Sequence, residues 1–458
     1  MEKNRSSFTS KIGFVLAAAG SAVGLGNLWR FPYLAAQHGG GVFLLVYLIL
    51  SVTFGFSLMI AEIAIGRKTG LSAIGAFQKF SRKCTFIGYI AAIIPALILP
   101  YYSVIGGCVI KYLTVFLTGN ASTAAADGYF DGFIGSTSES LLFFAIFIGA
   151  TAIVVLFGVE KGVEKVSKIM MPILVVLSLC IAAFVCITNI ARGQWDGILY
   201  YIKPDLSHFS IMTVVSAMGQ LFYSMSLAMG IMITYGSYMK KDVSLEASAH
   251  QIEFFDMGIA FLAGLMIVPS VVSYSGIEGL GKGPGLMFVT LPKVFNDMGP
   301  ILGNIIGAVF FILVLFAALT SSISLMETVV SIIQDKFHIG RKATCLVVLG
   351  GSFVIGVPSA LGFGAWSGFA PLGMDILTFF DFATNSVLMP IAAILTCIVV
   401  CYVIKPKAII DEVSLTGKFK LEKLFKVMIH IAPFLLLVIL VFAIFEAFGI
   451  TFGGFLKF

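Results

Sequence analysis

The sequence predicts an all-α integral membrane protein in which the first and sixth membrane helices are discontinuous. Three observations lead to this fold class. Hydrophobic residues make up 59% of the chain and charged residues only 11%, with a mean hydropathy of +1.04, whereas soluble domains carry about 25% charged residues. Apolar runs long enough to cross a bilayer recur along the whole chain. Glycine and polar residues interrupt two of those runs.

Eleven apolar runs can span the bilayer core, which takes about 20 helical residues. They lie near residues 12–36, 41–65, 87–118, 141–157, 169–190, 210–239, 254–275, 301–333, 344–362, 374–404 and 428–450. Strands of a membrane barrel would instead alternate polar and apolar residues over much shorter stretches, so helices are expected. We therefore expect eleven transmembrane helices in a lipid bilayer and no soluble domain.

Basic residues concentrate on one side of the predicted membrane. If the amino terminus and every second loop face that side, it carries 22 of the 29 Lys and Arg residues, which makes it the cytoplasmic side. The amino terminus is then cytoplasmic and, with an odd number of spans, the carboxyl terminus is extracellular. We expect a multi-pass protein of the cell (inner) membrane. The net charge of +6 follows from this topology, so no nucleic-acid partner is indicated.

Residues 1–22 also resemble a signal peptide, because Lys3, Arg5 and Lys11 precede an apolar run that contains AAAGSA. Cleavage there would divide a motif that continues unbroken to Pro32. We therefore expect this segment to stay in place as the first membrane helix.

The residues that carry most enzyme chemistry are scattered. Most of the seven cysteines lie within apolar runs and the five histidines are spread along the chain, so no transition-metal site is expected. The sequence has no convincing G-x-S-x-G, HExxH or phosphate-binding loop. An intramembrane hydrolase would need a nucleophile within reach of a base. We do not expect an enzyme.

The first apolar run contains the stretch GSAVGLGNLWRFP, residues 20–32. Glycine costs about 1 kcal/mol in a helix interior, and a bilayer offers no water to the backbone groups that a break sets free. Close helix packing would also explain small residues, but it does not require Asn27 or Arg30. An arginine at mid-span costs roughly 2.5 kcal/mol or more unless it is paired or hydrated. A break that lines a cavity accounts for both.

A second interruption lies in the sixth run, AMGQLFYSMSLAMGIMITYGSY, residues 217–238, where Ser224 and Ser226 stand between Gly219 and Gly230. Breaks in the first and sixth helices are typical of a secondary transporter with five-plus-five inverted repeats and a site at the midplane. We expect the first repeat at 1–200, the second at 201–405, and a cytoplasmic loop with the eleventh helix at 406–458. Free N–H groups at a break attract a carboxylate, and free C=O groups coordinate a small cation.

Several motifs resemble the neurotransmitter:sodium symporter family, in particular its bacterial amino-acid transporters with eleven helices. They are GSAVGLGNLWRFPY, the GGG of residues 39–41, Glu62, GQLFYSMSLAMG and ALTSSISLME, in this order between about Arg5 and Asp381. The resemblance implies a sodium-coupled symporter of an amino acid that works by alternating access. Two sodium ions are its implied cofactors, and we expect a monomer or weak dimer.

The family holds one sodium beside the substrate carboxylate, at positions that match Ala22, Asn27, Ser224 and Asp256. A second sodium is held at positions that match Gly20, Val23, Ala317, Thr320 and Ser321. Oxygen ligands of this kind suit a hard cation. Taken without the resemblance, Thr320 and Ser321 would more often bond back to their own helix, and Asn27 could be a helix-to-helix hydrogen bond.

The implied substrate pocket comprises Ser21, Ala22, Leu25, Gly26, Ile98, Tyr102, Tyr223, Ser224, Ser226, Met229, Ser321 and Leu325. Tyr102 would donate to the substrate carboxylate and Tyr223 would cover the pocket. Amine transporters of the family carry an Asp at the position of Gly24, so a glycine there implies a substrate that brings its own carboxylate. Met229 stands where relatives with smaller aliphatic substrates have a Phe, and its flexible thioether leaves room for an aromatic side chain.

The resemblance also implies two gates. Arg30 would pair with Asp381 on the outer side, and Arg5 with Asp335 on the inner side near Tyr238. A solvated loop pair worth under about 1 kcal/mol is the alternative for Arg5 and Asp335.

Three further features are the acid at Asp256, the acid at Glu327 and the pattern formed by Gly162 and Pro172. Many relatives have Asn at the position of Asp256, so an ionised Asp there suggests transport without chloride, with Asp256 as a candidate to take a proton on the return step. Glu327 is an unexplained acid within a span. Gly162 and Pro172 form a G-x9-P pattern, which either lets the fifth helix unwind locally or marks an ordinary kinked helix.

Two rival functions stay open at this point. A proton-coupled or exchange-only amino-acid transporter of the same fold would not need sodium, and the oxygen ligands argue against it. A channel would line its path with rings of residues from several helices, whereas the polar residues here cluster at two breaks.

Overall fold

The computed structural model describes residues 7–276 and 285–447, and the regular structure in them is helical apart from one isolated β-bridge between Gly40 and Pro204. The α-helices are, in chain order, α1 (Lys11–Ala22), α2 (Phe31–Gln37), α3 (Gly41–Leu50), α4 (Phe56–Thr69), α5 (Ala73–Phe80), α6 (Thr85–Leu117), α7 (Ala121–Ala124), α8 (Tyr129–Gly135), α9 (Thr137–Leu156), α10 (Lys165–Ala191), α11 (Asp196–Ile202), α12 (Ile211–Ser224), α13 (Ile231–Ser237), α14 (Leu245–Ser275), α15 (Leu291–Asn296), α16 (Pro300–Phe337), α17 (Arg341–Leu361), α18 (Ile376–Asp381), α19 (Met389–Val399), α20 (Pro406–Val413) and α21 (Glu422–Ala447). Short π-helical segments adjoin several of them, at Gly26–Arg30, Ser51–Gly55, Val159–Glu164, Leu286–Thr290, Phe382–Leu388 and Val400–Ile404.

Within the described ranges, nine continuous helical runs are long and apolar enough to cross a membrane. They are Gly41–Thr69, Arg82–Leu117, Thr137–Leu156, Val159–Ala191, Leu245–Tyr274, Pro300–Phe337, Arg341–Leu361, Ile376–Ile404 and Glu422–Phe445. Several are longer than the predicted apolar runs, because the helices continue into polar sequence at their ends. The helix predicted near 254 starts at Leu245, where the Ser244 side chain caps it.

The first span is broken where the glycines predicted a break. Helix α1 ends at Ala22, and Val23 adopts an extended conformation with φ −78° and ψ 101°. The chain then continues as the π-helical segment Gly26–Arg30 and α2, bent by 50° relative to α1. This bent pair is the tenth candidate span.

The sixth span is also broken. Helices α12 and α13 have 14 and 7 residues, and residues 225–230 between them are not helical. Ser226, Ala228 and Gly230 have φ values of 53°, 62° and 72°, which rule out a regular helix. Discontinuous helices 1 and 6 are therefore confirmed. By length and composition the described residues contain ten candidate crossings, and an eleventh made by α12 and α13 stays a prediction.

Helices α4 and α13 pack in very close contact because a glycine of each helix faces the backbone of the other helix. A Cβ atom on Gly66 would lie 1.9 Å from the Ile233 carbonyl oxygen, and one on Gly236 would lie 2.3 Å from the Ile63 carbonyl oxygen. Small residues let membrane helices approach in this way. The contact fixes the second half of the broken sixth span on the second span.

The end of the bundle that is predicted to be cytoplasmic carries a buried ion pair. Arg67, at the end of α4, pairs with Glu412 of α20 at 2.9 Å, and its Nη1 donates to the Val243 carbonyl at 2.8 Å. Lys241 also reaches Glu412, at 2.7 Å. The segment before the last helix is thereby joined to the loop that follows α13.

We expect Gly66→Ala to destabilise the protein, because the added methyl group overlaps the Ile233 carbonyl and overpacking typically costs 1–3 kcal/mol. Thermal unfolding in detergent measures the effect. Gly149→Ala is the control, since a Cβ atom at Gly149 in α9 meets no atom within 4 Å. An unchanged melting temperature for Gly66→Ala would contradict the close contact of α4 and α13.

Candidate binding site

The two helix breaks face each other directly. Ser21 Oγ donates to Ser226 Oγ at 3.0 Å, and Ser226 Oγ donates to the Ser21 carbonyl at 2.9 Å. Gln220 Nε2 donates to the Gly26 carbonyl at 2.9 Å. Backbone groups released by one break therefore find partners on the other helix, as a water-free environment requires. Glu62 adds a third support, because its Oε1 accepts the Ala228 N–H at 2.8 Å.

A cavity with about 350 Å³ of space between atoms lies where the breaks meet. All twelve residues predicted for the substrate pocket line it, together with Gly24, Asn27 and Ile231. Ile231 was not predicted, although it directly follows Gly230 of the second break.

One end of this cavity is polar. Tyr102 Oη accepts the Leu25 N–H at 3.2 Å, so its own proton is free to donate. A Cβ atom on Gly24 would lie 2.6 Å from Ser321 Oγ and 3.0 Å from Tyr102 Oη. The glycine thus leaves open the small space that both hydroxyl groups face.

The other end is apolar and covered. Ile98, Met229 and Leu325 are all buried and line it. The Tyr223 ring also lines the cavity, and the Arg30 guanidinium lies 5.5 Å from the centre of that ring. A Tyr ring and a cation at this distance attract each other.

A first cluster of oxygens surrounds Asp256, which is fully buried. Its Oδ1 accepts from Asn27 Nδ2 at 2.8 Å and from Ser224 Oγ at 2.5 Å, and its Oδ2 accepts from Tyr47 Oη at 2.9 Å. Asn27, Ser224 and Asp256 were predicted to act together, and the structure brings them together. Tyr47 was not predicted, because a tyrosine in an apolar run is most often a packing residue.

A second cluster of oxygens lies between α1 and α16. Ser321 Oγ is 3.3 Å from the Gly20 carbonyl, 3.1 Å from the Ser21 carbonyl and 3.3 Å from the Val23 carbonyl. A single hydroxyl proton cannot satisfy three carbonyl oxygens. Such converging acceptors suit a hard cation. Ser321 therefore bonds to another helix rather than back to its own.

Thr320 bonds back to its own helix, as hydroxyl side chains in membrane helices usually do. Its Oγ1 bonds back to the Phe316 carbonyl at 2.9 Å and lies 3.1 Å from the Ala317 carbonyl. All five residues predicted for the second sodium still lie in one place, because a Cβ atom on Gly20 would be 3.1 Å from Thr320 Cβ.

The predicted outer gate has a different arrangement in this conformation. Asp381 Oδ1 accepts from Asn385 Nδ2 at 2.6 Å and from Tyr101 Oη at 3.3 Å, and Arg30 attracts the same carboxylate electrostatically without a direct contact to it. Arg30 lies on Tyr223 instead, and its Nη1 is buried without a hydrogen-bond partner. Two polar neighbours, Tyr101 and Asn385, thus bond to the carboxylate that was predicted to pair with Arg30.

Only half of the predicted inner gate can be described. Arg5 lies outside the described residues, whereas the Asp335 carboxylate accepts from Ser72 N at 2.8 Å and Ser72 Oγ at 2.6 Å. Tyr238 Oη donates to Glu327 Oε1 at 2.9 Å. Glu327 also forms a close ion pair with Arg341, which explains an acid that the sequence left unexplained.

The G-x9-P segment is wound in this conformation. Gly162 lies in the π-helical turn Val159–Glu164, and Pro172 lies inside α10, which follows without a break. The local unwinding that the pattern can support stays a prediction.

The sodium:neurotransmitter symporter family matches residues 5–129 and 133–456. The chain belongs to this family. An uncharacterised sodium-dependent transporter of Bacillus subtilis is 32% identical over 440 residues, which cover 94% of this chain and 96% of the relative. A sodium-dependent transporter of Methanocaldococcus jannaschii is 33% identical over 455 residues, covering 96% and 90%.

The symporter fold is confirmed by a solved structure. The crystal structure of MhsT in complex with L-phenylalanine matches this symporter with a TM-score of 0.87 and 35% identity, over 96% of this chain and 100% of the other. This member of the sodium:neurotransmitter symporter family is therefore a sodium-dependent, multi-pass membrane transporter and not an enzyme.

Proposed function

We propose that this transporter carries a hydrophobic, aromatic L-amino acid into the cell together with sodium ions. The observation that carries the proposal is the cavity at the two breaks, which has one end for a carboxylate and an apolar end for a side chain. Alternating access around this cavity would couple the two movements. The amino terminus would face the cytoplasm, and the two five-helix repeats would move against each other.

The polar end has the chemistry to bind an amino-acid carboxylate. Tyr102 has a free hydroxyl proton, and Gly24 leaves the space beside it open. An Asp at position 24 would fill that space with a second negative charge. A substrate without its own carboxylate would leave the Tyr102 donor without a partner, and unpaired buried donors cost about 1–3 kcal/mol.

The apolar end supports an aromatic side chain. Ile98, Met229, Ile231 and Leu325 offer it only carbon and sulfur atoms, and sulfur next to an aromatic ring is favourable. The structure of MhsT, with its L-phenylalanine, supports a substrate of this class here.

We assign the two oxygen clusters to two sodium ions. The first site consists of Ala22, Asn27, Ser224 and Asp256 beside the substrate, and the second of Gly20, Val23, Ala317, Thr320 and Ser321. The buried Asp256 carboxylate supplies a full negative charge next to the first cation. The negative charge of Asp256 would take the place of a chloride ion beside the first cation.

Contacts of Tyr223 and Tyr238 would close the cavity on its two sides. Tyr223 with Arg30 covers the cavity towards the predicted outer side, and a rearrangement towards Asp381 would tighten it. Tyr238 with Glu327 closes the opposite side. Arg5 and Asp335 would add a second inner contact.

Uptake into liposomes tests the proposal. We expect sodium-dependent uptake of labelled tryptophan that unlabelled Tyr, Trp and Phe inhibit much more strongly than Gly or Ala. Gly24→Ala should lower uptake by about tenfold, because its methyl group enters the carboxylate space and a lost charge-assisted hydrogen bond is worth about 1.5–3 kcal/mol.

Gly219→Ala is the matched control, since a Cβ atom there meets nothing within 4 Å. Uptake that continues unchanged in choline would favour the proton-coupled or exchange-only alternative. Inhibition by Gly and Ala as strong as that by Tyr, Trp and Phe would contradict an aromatic substrate.

Ser321→Ala should raise the sodium concentration for half-maximal binding by about tenfold, because it removes an oxygen from the second cluster. Binding of labelled sodium without substrate measures this directly. Ser178→Ala is the control, because Ser178 Oγ is buried in α10 without a hydrogen-bond partner. The same sodium affinity in both variants would disprove the second site.

Replacing chloride with gluconate should leave uptake unchanged. Asp256→Asn should lose most sodium-driven uptake, because a neutral amide no longer balances a buried cation. Asp411→Asn, at an exposed carboxylate of α20, should behave like the wild type. A steep fall of wild-type uptake in gluconate would show that chloride is needed.

A further inference from the structure

The segment that precedes α1, residues 7–10, lies between two parts of the bundle, and we call it the strap. On one side Phe8 N donates to the Tyr238 carbonyl at 3.2 Å, and the Phe8 ring packs edge-on against Tyr235. Lys240 Nζ donates to the Thr9 carbonyl at 3.1 Å. The strap is therefore attached to the end of the sixth span and the loop after it.

On its other side the strap is held by one carboxylate. Glu164 Oε2 accepts the Thr9 N–H at 2.8 Å, and Oε1 accepts from Thr9 Oγ1 at 2.5 Å and from Ser10 Oγ at 3.3 Å. Lys168 pairs with the same carboxylate at 2.7 Å. The Glu164 side chain is only 2% exposed, so these groups supply hydrogen bonds that water would otherwise make.

Glu164 also lies against the start of α1. Ser10 Oγ, one of its donors, caps α1 by accepting the Gly13 N–H at 3.1 Å. A Cβ atom on Gly13 would lie 1.9 Å from Glu164 Oε1, so glycine alone leaves room for the carboxylate there. The inner half of the broken first helix thus begins on Glu164.

Glu164 is the last residue of the π-helical turn Val159–Glu164. Gly162 in this turn lies so close to the end of α9 that a Cβ atom would be 2.0 Å from the Val154 carbonyl oxygen. The direction of the Glu164 side chain therefore depends on the winding of this turn. If the turn unwinds, the carboxylate leaves Thr9 and Ser10.

We infer that Glu164 is a positioning residue that makes release of the strap and unwinding of the π-helical turn a single event. If either part moves alone, the buried Glu164 carboxylate loses Thr9 and Ser10 and keeps only Lys168 as a partner, and the loss of hydrogen bonds to a buried charge costs more than the loss of an exposed contact. The inference rests on alternating access as proposed above. It assigns to Glu164 the inner closure of both the first and the fifth spans.

Hydrogen exchange of the purified protein, without substrate, tests this inference. Glu164→Gln should speed exchange in the strap and first turn of α1, residues 7–13, by roughly tenfold, as expected when a hydrogen bond to a charged group is lost. Thr9→Val, a change within the strap, should speed exchange across the contact in residues 159–168.

Two matched variants serve as controls. Glu160→Gln changes an exposed carboxylate of the same turn, and Ser7→Ala changes an exposed hydroxyl of the strap. Both should leave exchange in the two segments unchanged. Residues 376–399 should exchange at the wild-type rate in every variant, because a general loss of stability would speed them as well.

An effect that stays within the mutated segment would overturn the inference, and so would equal effects of Glu160→Gln and Glu164→Gln. If Glu164→Gln does not fold, the effect of Thr9→Val on residues 159–168 decides alone. A wild-type protein that fails to transport amino acids would refute the proposed function and leave these exchange results unaffected.

Discussion

The structure depends on one constraint: backbone polar groups set free within a bilayer must find partners in the protein. The first and sixth spans both break at mid-length, and each supplies the partners of the other through Ser21, Ser226, Gln220 and Gly26. What remains after this pairing is a small set of carbonyl and hydroxyl oxygens that converge without enough protons to satisfy them. The proposed cation sites and the proposed carboxylate site would therefore both arise from the same two breaks.

The other elements hold these breaks in place. Glu62 on α4 supports the second break through the Ala228 N–H, and the glycine contact between α4 and α13 fixes the helix that follows it. The first break is held from its far end, where α1 begins on Ser10 and Glu164. Continuous helices thus surround two breaks, which is the arrangement that the proposed alternating access would need.

Much of this could be predicted from the sequence, because glycines and polar residues within apolar runs are costly and therefore informative. The broken helices, the membrane class and the set of residues around the cavity all followed from such signals and from the family motifs. Partners that join distant residues could not be predicted. Tyr47 and Asp256 are 209 positions apart, and nothing near Tyr47 distinguishes it from a packing tyrosine. Glu327 was conspicuous as an acid, but its partner Arg341 lies beyond the end of its helix, where it resembles any loop cation.

The position of Arg30 on the face of Tyr223 sets an order of events at the predicted outer side. Its Nη1 is buried and has no hydrogen-bond partner, so the guanidinium is the group with the most to gain from water that enters. Hydration would therefore draw the arginine away first, and only then could the aromatic ring swing aside. A molecule arriving from that side would meet the Arg30 guanidinium before the Tyr223 ring. A ligand that binds the guanidinium would therefore slow entry without touching the cavity itself.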